Sequence, residues 1–120
     1  MNTEVAEYIA KQPAGRQNLL ISIHTIIMEE ERFSKVAVSD MDDMIIYVKD
    51  ILLYGLASHK DYMSLELAPL YSSFALQYKY KVLLPKARFE EGSIVFTSTG
   101  DISLNIVKQL ISKCSKVDIW

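Results

Sequence analysis

The run from Met44 to Ala57 constrains this chain more than any other stretch. Two apolar segments, Met44–Val48 and Ile51–Ala57, flank the polar pair Lys49-Asp50. Segments of this length, rich in β-branched and aromatic residues and split by a short polar break, read as a β-hairpin. Side chains alternate across a strand, so Met44, Ile46 and Val48 share one face and Ile45 and Tyr47 the other. In the second segment Ile51 and Leu53 likewise oppose Leu52, Tyr54 and Leu56. Both faces of the hairpin are therefore apolar, whereas an antiparallel sheet with one wet face alternates apolar with polar residues. The second face needs cover from the chain's own helices, from a partner such as a second copy, or from a ligand held in a pocket. Large exposed apolar patches mark interfaces. Tyr47, Tyr54 and Leu56 are accordingly the candidate ligand or interface residues, and a homodimer through this surface is one expected arrangement.

The flanking segments supply helices. Thr3 reads as an N-cap before Val5, Tyr8 and Ile9 at helical spacing. Pro13 and Gly15 separate that helix from a longer one, Arg16 to about Glu31, with the apolar stripe Leu19, Leu20, Ile23, Ile26 and Ile27. Lys35–Ser39 reads as a short strand, and Met63, Leu65 and Leu67 alternate with Ser64 and Glu66 as another. Pro69 opens a helix whose predicted apolar face is Leu70, Tyr71, Phe74, Ala75 and Tyr78, and Pro85 ends it. Ser93–Thr97 follows as a strand. Asp101 reads as the N-cap of a last helix that buries Ile106, Val107, Leu110, Ile111 and Cys114. The expected architecture is α+β: about five antiparallel strands with helices packed on them, in the order α-α-β-β-β-β-α-β-α. Residues 1–120 carry no repeat, linker or low-complexity stretch and are expected to form one domain.

Composition removes several classes of function. The net charge is −2, without the basic face that phosphate binding requires, so nucleic acid is not an expected partner. No apolar run reaches the roughly 20 residues that span a bilayer, and Met1–Lys11 lacks the basic start of a signal peptide. The single cysteine cannot form an internal disulfide. These features point to a cytoplasmic protein with no membrane partner.

Catalytic signatures are sparse. The sequence holds no Gly-rich phosphate loop, no GxSxG elbow and no HExxH motif. His24 falls at the margin of an apolar helix stripe and His59 in a turn. Cys114, on a buried helix face, reads as an inert thiol. The expectation is a non-catalytic protein. The acidic residues form two groups, Glu29, Glu30 and Glu31 at a helix end and Asp40, Asp42 and Asp43 before the hairpin. They read either as a solvated acidic edge or, if one or two glutamates meet the aspartates, as a shallow site for a hard cation. Lys79, Lys81, Lys86 and Arg88, interleaved with Tyr78, Tyr80 and Phe89, read as a solvated basic surface with the capacity to meet a small anion.

The order of these segments resembles the YdhG-like family of small bacterial domains. The likeness rests on Glu7-Tyr8-Ile9-Ala10 followed by Pro13 and Arg16, on the paired strands Ile45–Val48 and Leu53–Ala57, on Lys60-Asp61-Tyr62 before Ser64-Leu65, and on Gly92-Ser93-Ile94-Val95-Phe96 ahead of the last helix. It covers nearly the whole chain. Some members are described as frataxin-like iron chaperones, so the resemblance implies weak iron binding on Glu29, Glu30, Glu31, Asp40, Asp42 and Asp43, with iron–sulfur assembly proteins as partners. The alternative is an interaction or small-ligand module using the apolar face of the 44–57 hairpin. The chain departs from the family at Ser39–Asp43, where members commonly carry an aromatic-Gly-x-Pro stretch.

Overall fold

The computed structural model describes residues 1–117. Helices α1 (Thr3–Ala10) and α2 (Ala14–Glu30) precede strands β1 (Lys35–Ser39), β2 (Met44–Lys49), β3 (Ile51–Ser58) and β4 (Met63–Leu67). Helices α3 (Ala68–Tyr71) and α4 (Phe74–Leu83), strands β5 (Arg88–Glu90) and β6 (Ser93–Phe96), a 3₁₀ turn (Thr99–Asp101) and helix α5 (Leu104–Cys114) complete the order. All strand pairs are antiparallel, in the order β1-β2-β3-β4-β6-β5. The α+β class is as the sequence implies, but the sheet has six strands. The extra one, β5, is three residues long and pairs Arg88, Phe89 and Glu90 with Val95, Ile94 and Ser93. Two charged residues around one aromatic give no apolar alternation to read.

The helices cover one face of the sheet. Ile45, Tyr47, Tyr54, Leu56, Leu65, Ile94 and Phe96 are buried there against Leu20, Ile23 and Ile27 of α2 and Val107, Leu110 and Ile111 of α5. These stripes match the expected ones. The hairpin turns without glycine because Asp50 takes the left-handed conformation, φ 65°, which aspartate tolerates better than most residues. A bulge compensates. Tyr47 faces Tyr54 while Val48 faces Leu52, so Leu53 is the additional residue.

Two small corrections concern helix starts. Asn2, not Thr3, caps α1, its Oδ1 accepting from Val5 N at 2.9 Å. Ser103, not Asp101, caps α5, and Asp101 instead closes the preceding 3₁₀ turn with Ser98. Asn2 has a second task. Its Nδ2 donates to Val36 O at 2.8 Å, and Glu4 Oε2 accepts from Val38 N at 2.9 Å. Together they occupy backbone groups along the outer edge of β1, which discourages strand addition by another chain.

The segment after β4 departs most from expectation. One helix was expected with Leu70, Tyr71, Phe74, Ala75 and Tyr78 inward. The chain breaks at Ser72-Ser73, where Ser73 caps α4 by accepting from Leu76 N at 3.2 Å. The break rotates α4, so Tyr80 and Leu84 are buried and Leu76 packs on the core, while Tyr71, Phe74, Ala75 and Tyr78 are exposed. The serines favour a cap over helix continuation, because their hydroxyls compete for backbone N–H groups.

Candidate functional site

The face of the sheet away from α2 and α5 carries a groove of about 630 Å³, bordered on one side by α3. Alternation and register assign Met44, Ile46 and Val48, with Leu52 across from Val48 and Gly55 across from Ile46, to this side. Leu52, Leu53 and Gly55 of β3 and Glu66 of β4 form the floor. Asp42 and Met44 line it from the start of β2. Tyr71 and Ser72, together with the β5–β6 turn Glu90-Glu91-Gly92-Ser93, line it from the end of β4.

Two glycines shape this groove. A Cβ at Gly55 would lie 2.9 Å from Met44 Sδ and 3.5 Å from Glu66 Oε2. The absence of a side chain there lets the flexible methionine lie across the strand. At Gly92 a Cβ would lie 2.8 Å from Tyr71 Cβ and 3.1 Å from Leu67 O. Glycine thus allows the β5–β6 turn to close against α3, where Leu67 N donates to Gly92 O at 2.8 Å.

The groove has one sign of charge. Asp42, Glu66, Glu90 and Glu91 line it and are exposed, and no lysine, arginine or histidine does so among the described residues. Glu90 also meets Arg88 at 3.3 Å. Asp42, Glu66 and Glu91 form no ion pair among the described residues, and these carboxylates over an apolar floor concentrate a negative potential where a ligand would lie.

The sequence-predicted site residues fall elsewhere. Tyr47, Tyr54 and Leu56 are on the helix-covered face and fully buried. Tyr47 and Leu56 are corrected to core residues, whereas Tyr54, though its side chain is buried, also borders the groove. Tyr47 packs beside Phe33 (centroids 5.5 Å apart) and shares a 2.6 Å hydrogen bond between its hydroxyl and His24 Nδ1. The groove lies on the hairpin's other face.

The two acidic groups stay apart. Glu31 lines a small cavity with Lys49 and Cys114, beyond the far end of β2, whereas Asp42 and Asp43 precede its first residue. Five residue steps along the strand separate Met44 from Lys49, about 17 Å. Among the described residues no group of three or more His, Cys, Asp or Glu side chains is placed to hold a metal ion. The six carboxylates have separate surroundings instead. Glu30 Oε1 accepts from Ser115 Oγ at 3.1 Å, Asp42 Oδ2 accepts from Ser39 Oγ at 3.1 Å, and Glu29 and Asp40 are exposed. The backbone carbonyl of Asp43 accepts from Tyr8 Oη at 2.8 Å. Burial raises the pKa of Glu31, opposed by nearby Lys49.

The remaining chemistry-bearing groups are structural. Cys114 is buried at the end of α5, and desolvation, with Glu31 adding repulsion, pushes its thiol up to about 12. Such a thiol is protonated at neutral pH and is no nucleophile. Arg16 reaches across to the β3–β4 turn, donating to Ser58 Oγ at 2.9 Å, Lys60 O at 3.3 Å and His59 O. It fixes that turn. His24 is buried, and desolvation lowers its pKa below 6.5, with the amino-terminal charge acting the same way. Protonation of His24 therefore favours the unfolded chain. Its contribution to stability is complete above the unfolded pKa and is lost as the pH falls from there toward the folded pKa. The fall in thermal midpoint between neutral and mildly acidic pH should be smaller in a His24→Gln variant than in the unaltered protein. An identical pH dependence in both would exclude His24 as the titrating group.

No family model, curated protein or solved structure matches the chain. Among the described residues, no helix is long and apolar enough to cross a membrane.

Proposed function

We propose that the protein is a non-catalytic binding module of the cytoplasm whose open-face groove takes a small organic cation with an apolar body. The observation that carries this reading is the single-signed lining, four carboxylates and no cation over Met44, Leu52 and Leu53. The groove's volume falls in the range typical of small-molecule sites. Its carboxylates are exposed, and its serines, Ser72 and Ser93, have no histidine or lysine in the lining to activate them. One feature supports the compartment: the lone cysteine is unpaired and buried. The iron role implied by the family resemblance would need carboxylates from both ends of β2, so the groove is the better-supported site.

Calorimetric titration with phenethylamine, against its uncharged analogue 2-phenylethanol, tests the proposal. The amine should bind saturably. Its affinity should fall severalfold in high salt, which screens exposed charges, and again in a Glu66→Gln/Glu91→Gln double variant. The alcohol should bind far more weakly. Equal binding of the two compounds, or an amine signal that never saturates, would remove the proposal.

A further inference from the structure

We infer that helix α4 is the contact surface for a second copy of this chain, in a two-fold dimer whose patch adjoins the groove at Tyr71 and Glu91. Phe74, Tyr78 and Val82 are spaced by four along α4 and are 81%, 70% and 64% exposed. At 100° per residue their stripe centres about 180° from Leu76 and Tyr80, which face the core. A helix packed on a single domain is apolar on the core side and polar opposite. This one is apolar on both sides, with Lys79 and Lys81 between the two stripes.

Tyr71, 65% exposed just before α4, extends the patch. Aromatic side chains present about 150–250 Å² each, so Tyr71, Phe74, Tyr78 and Val82 together expose on the order of 400–500 Å². That is within the range of about 300–600 Å² for the largest apolar patch on a monomer, which is often functional. With its polar rim it approaches the roughly 800 Å² that each partner contributes to a standard interface.

Charge selects a second copy as the occupant. From Leu67 to Phe89 the chain has no acidic residue and four cations, Lys79, Lys81, Lys86 and Arg88, in a protein of net charge −2. Arg88 pairs with Glu90, while Lys81 and Lys86 lie at and beyond the C-terminal end of α4. The carboxylates of Glu90 and Glu91 lie at the other end, because the β5–β6 turn closes on Tyr71 at Gly92. One patch thus has a basic end, an apolar middle and an acidic end. A two-fold axis near Tyr78 pairs α4 with its copy antiparallel, setting Phe74 against the second copy's Val82 and Lys81 beside the second copy's Glu91. Such a patch is self-complementary, as a two-fold interface requires.

Sedimentation velocity over a wide range of protein concentration tests the inference. The mass should rise from 13.7 kDa toward twice that value. Tyr78→Glu should keep the protein monomeric without changing its circular dichroism or its binding of phenethylamine, since Tyr78 is exposed and outside the groove. Lys81→Glu should weaken the dimer severalfold, and adding Glu91→Lys should restore it. A protein that stays monomeric at every concentration overturns the inference, as does a dimer indifferent to Tyr78→Glu. So does a monomer whose α4 carries it onto phosphatidylserine vesicles, which would identify a lipid surface as the occupant.

Discussion

Replacing Tyr47 by alanine is expected to destabilise the domain by about 3–5 kcal/mol, the range for deleting a large buried aromatic side chain. Tyr47 is fully buried between β2 and α2, with Phe33 beside its ring. Its loss leaves a cavity that the sheet on one side and α2 on the other cannot both close. It also strips His24 Nδ1 of its partner, and a buried polar atom left unmatched costs about 1–3 kcal/mol. Small domains have only about 5–15 kcal/mol in total, so the variant should unfold at much lower urea. Tyr47→Phe, which removes only the hydroxyl, should lose much less. Urea denaturation of the two variants separates the core role from a binding role. A ligand-facing surface tyrosine would cost within about 0.5 kcal/mol in either variant, and that outcome would contradict the placement of Tyr47 beneath the helices.

Gly92→Ala should damage both the fold and the groove. The added methyl meets Tyr71 Cβ at 2.8 Å, Leu67 O at 3.1 Å and Tyr71 N at 3.3 Å. Two of these atoms are backbone and the third is a Cβ, so none can move aside by a rotamer change. Either the β5–β6 turn or α3 must shift, stretching the 2.8 Å bond from Leu67 N to Gly92 O. Overpacking of this kind costs about 1–3 kcal/mol. The same shift moves Glu90 and Glu91 away from Glu66, and phenethylamine affinity should fall severalfold. Gly15→Ala is the control, because nothing lies within 4 Å of its added methyl and alanine favours a helix. That variant should be as stable as the parent and bind equally well. Equal stability and binding in Gly92→Ala would mean that the turn does not close on α3.

Where one face of an element repeats apolar residues at a fixed period, the sequence revealed the structure. The stripes of α2 and α5 and the alternation of β4 led to the right faces because burial on one side leaves that period behind. Between Ala68 and Leu83 the same reasoning failed for a physical reason. Apolar residues occur on both sides of α4, so periodicity does not choose between them, and the rotation is set by the Ser72-Ser73 break. Ser73 just before an apolar run was the available signal, since serine favours the N-cap position.

The candidate site was half legible. Two apolar faces on the 44–57 hairpin implied cover on both sides, and the second face does form a groove. The residues chosen for it, Tyr47, Tyr54 and Leu56, were the bulkiest, and bulk is what a core under helices collects. The groove surface instead follows from the smaller and more flexible alternation partners Met44, Leu52 and Gly55. Its four carboxylates come from three separate places in the chain: Asp42, Glu66 and the pair Glu90-Glu91 are brought together by the pairing of β4 with β6 and the closure at Gly92. No spacing in the sequence announces a constellation of that kind. The acidic runs that the sequence does display, Glu29–Glu31 and Asp40–Asp43, are held apart by the length of β2.

Two-dimensional NMR of isotope-labelled protein during a phenethylamine titration tests the groove most directly. The expected result is a saturable set of shifts confined to Asp42, Met44, Leu52–Gly55, Glu66, Tyr71 and Glu90–Ser93, with Tyr47, Leu56 and His24 unmoved. Shifts centred on Glu29–Glu31 or on the helix-covered core, or none above those caused by 2-phenylethanol, would contradict it.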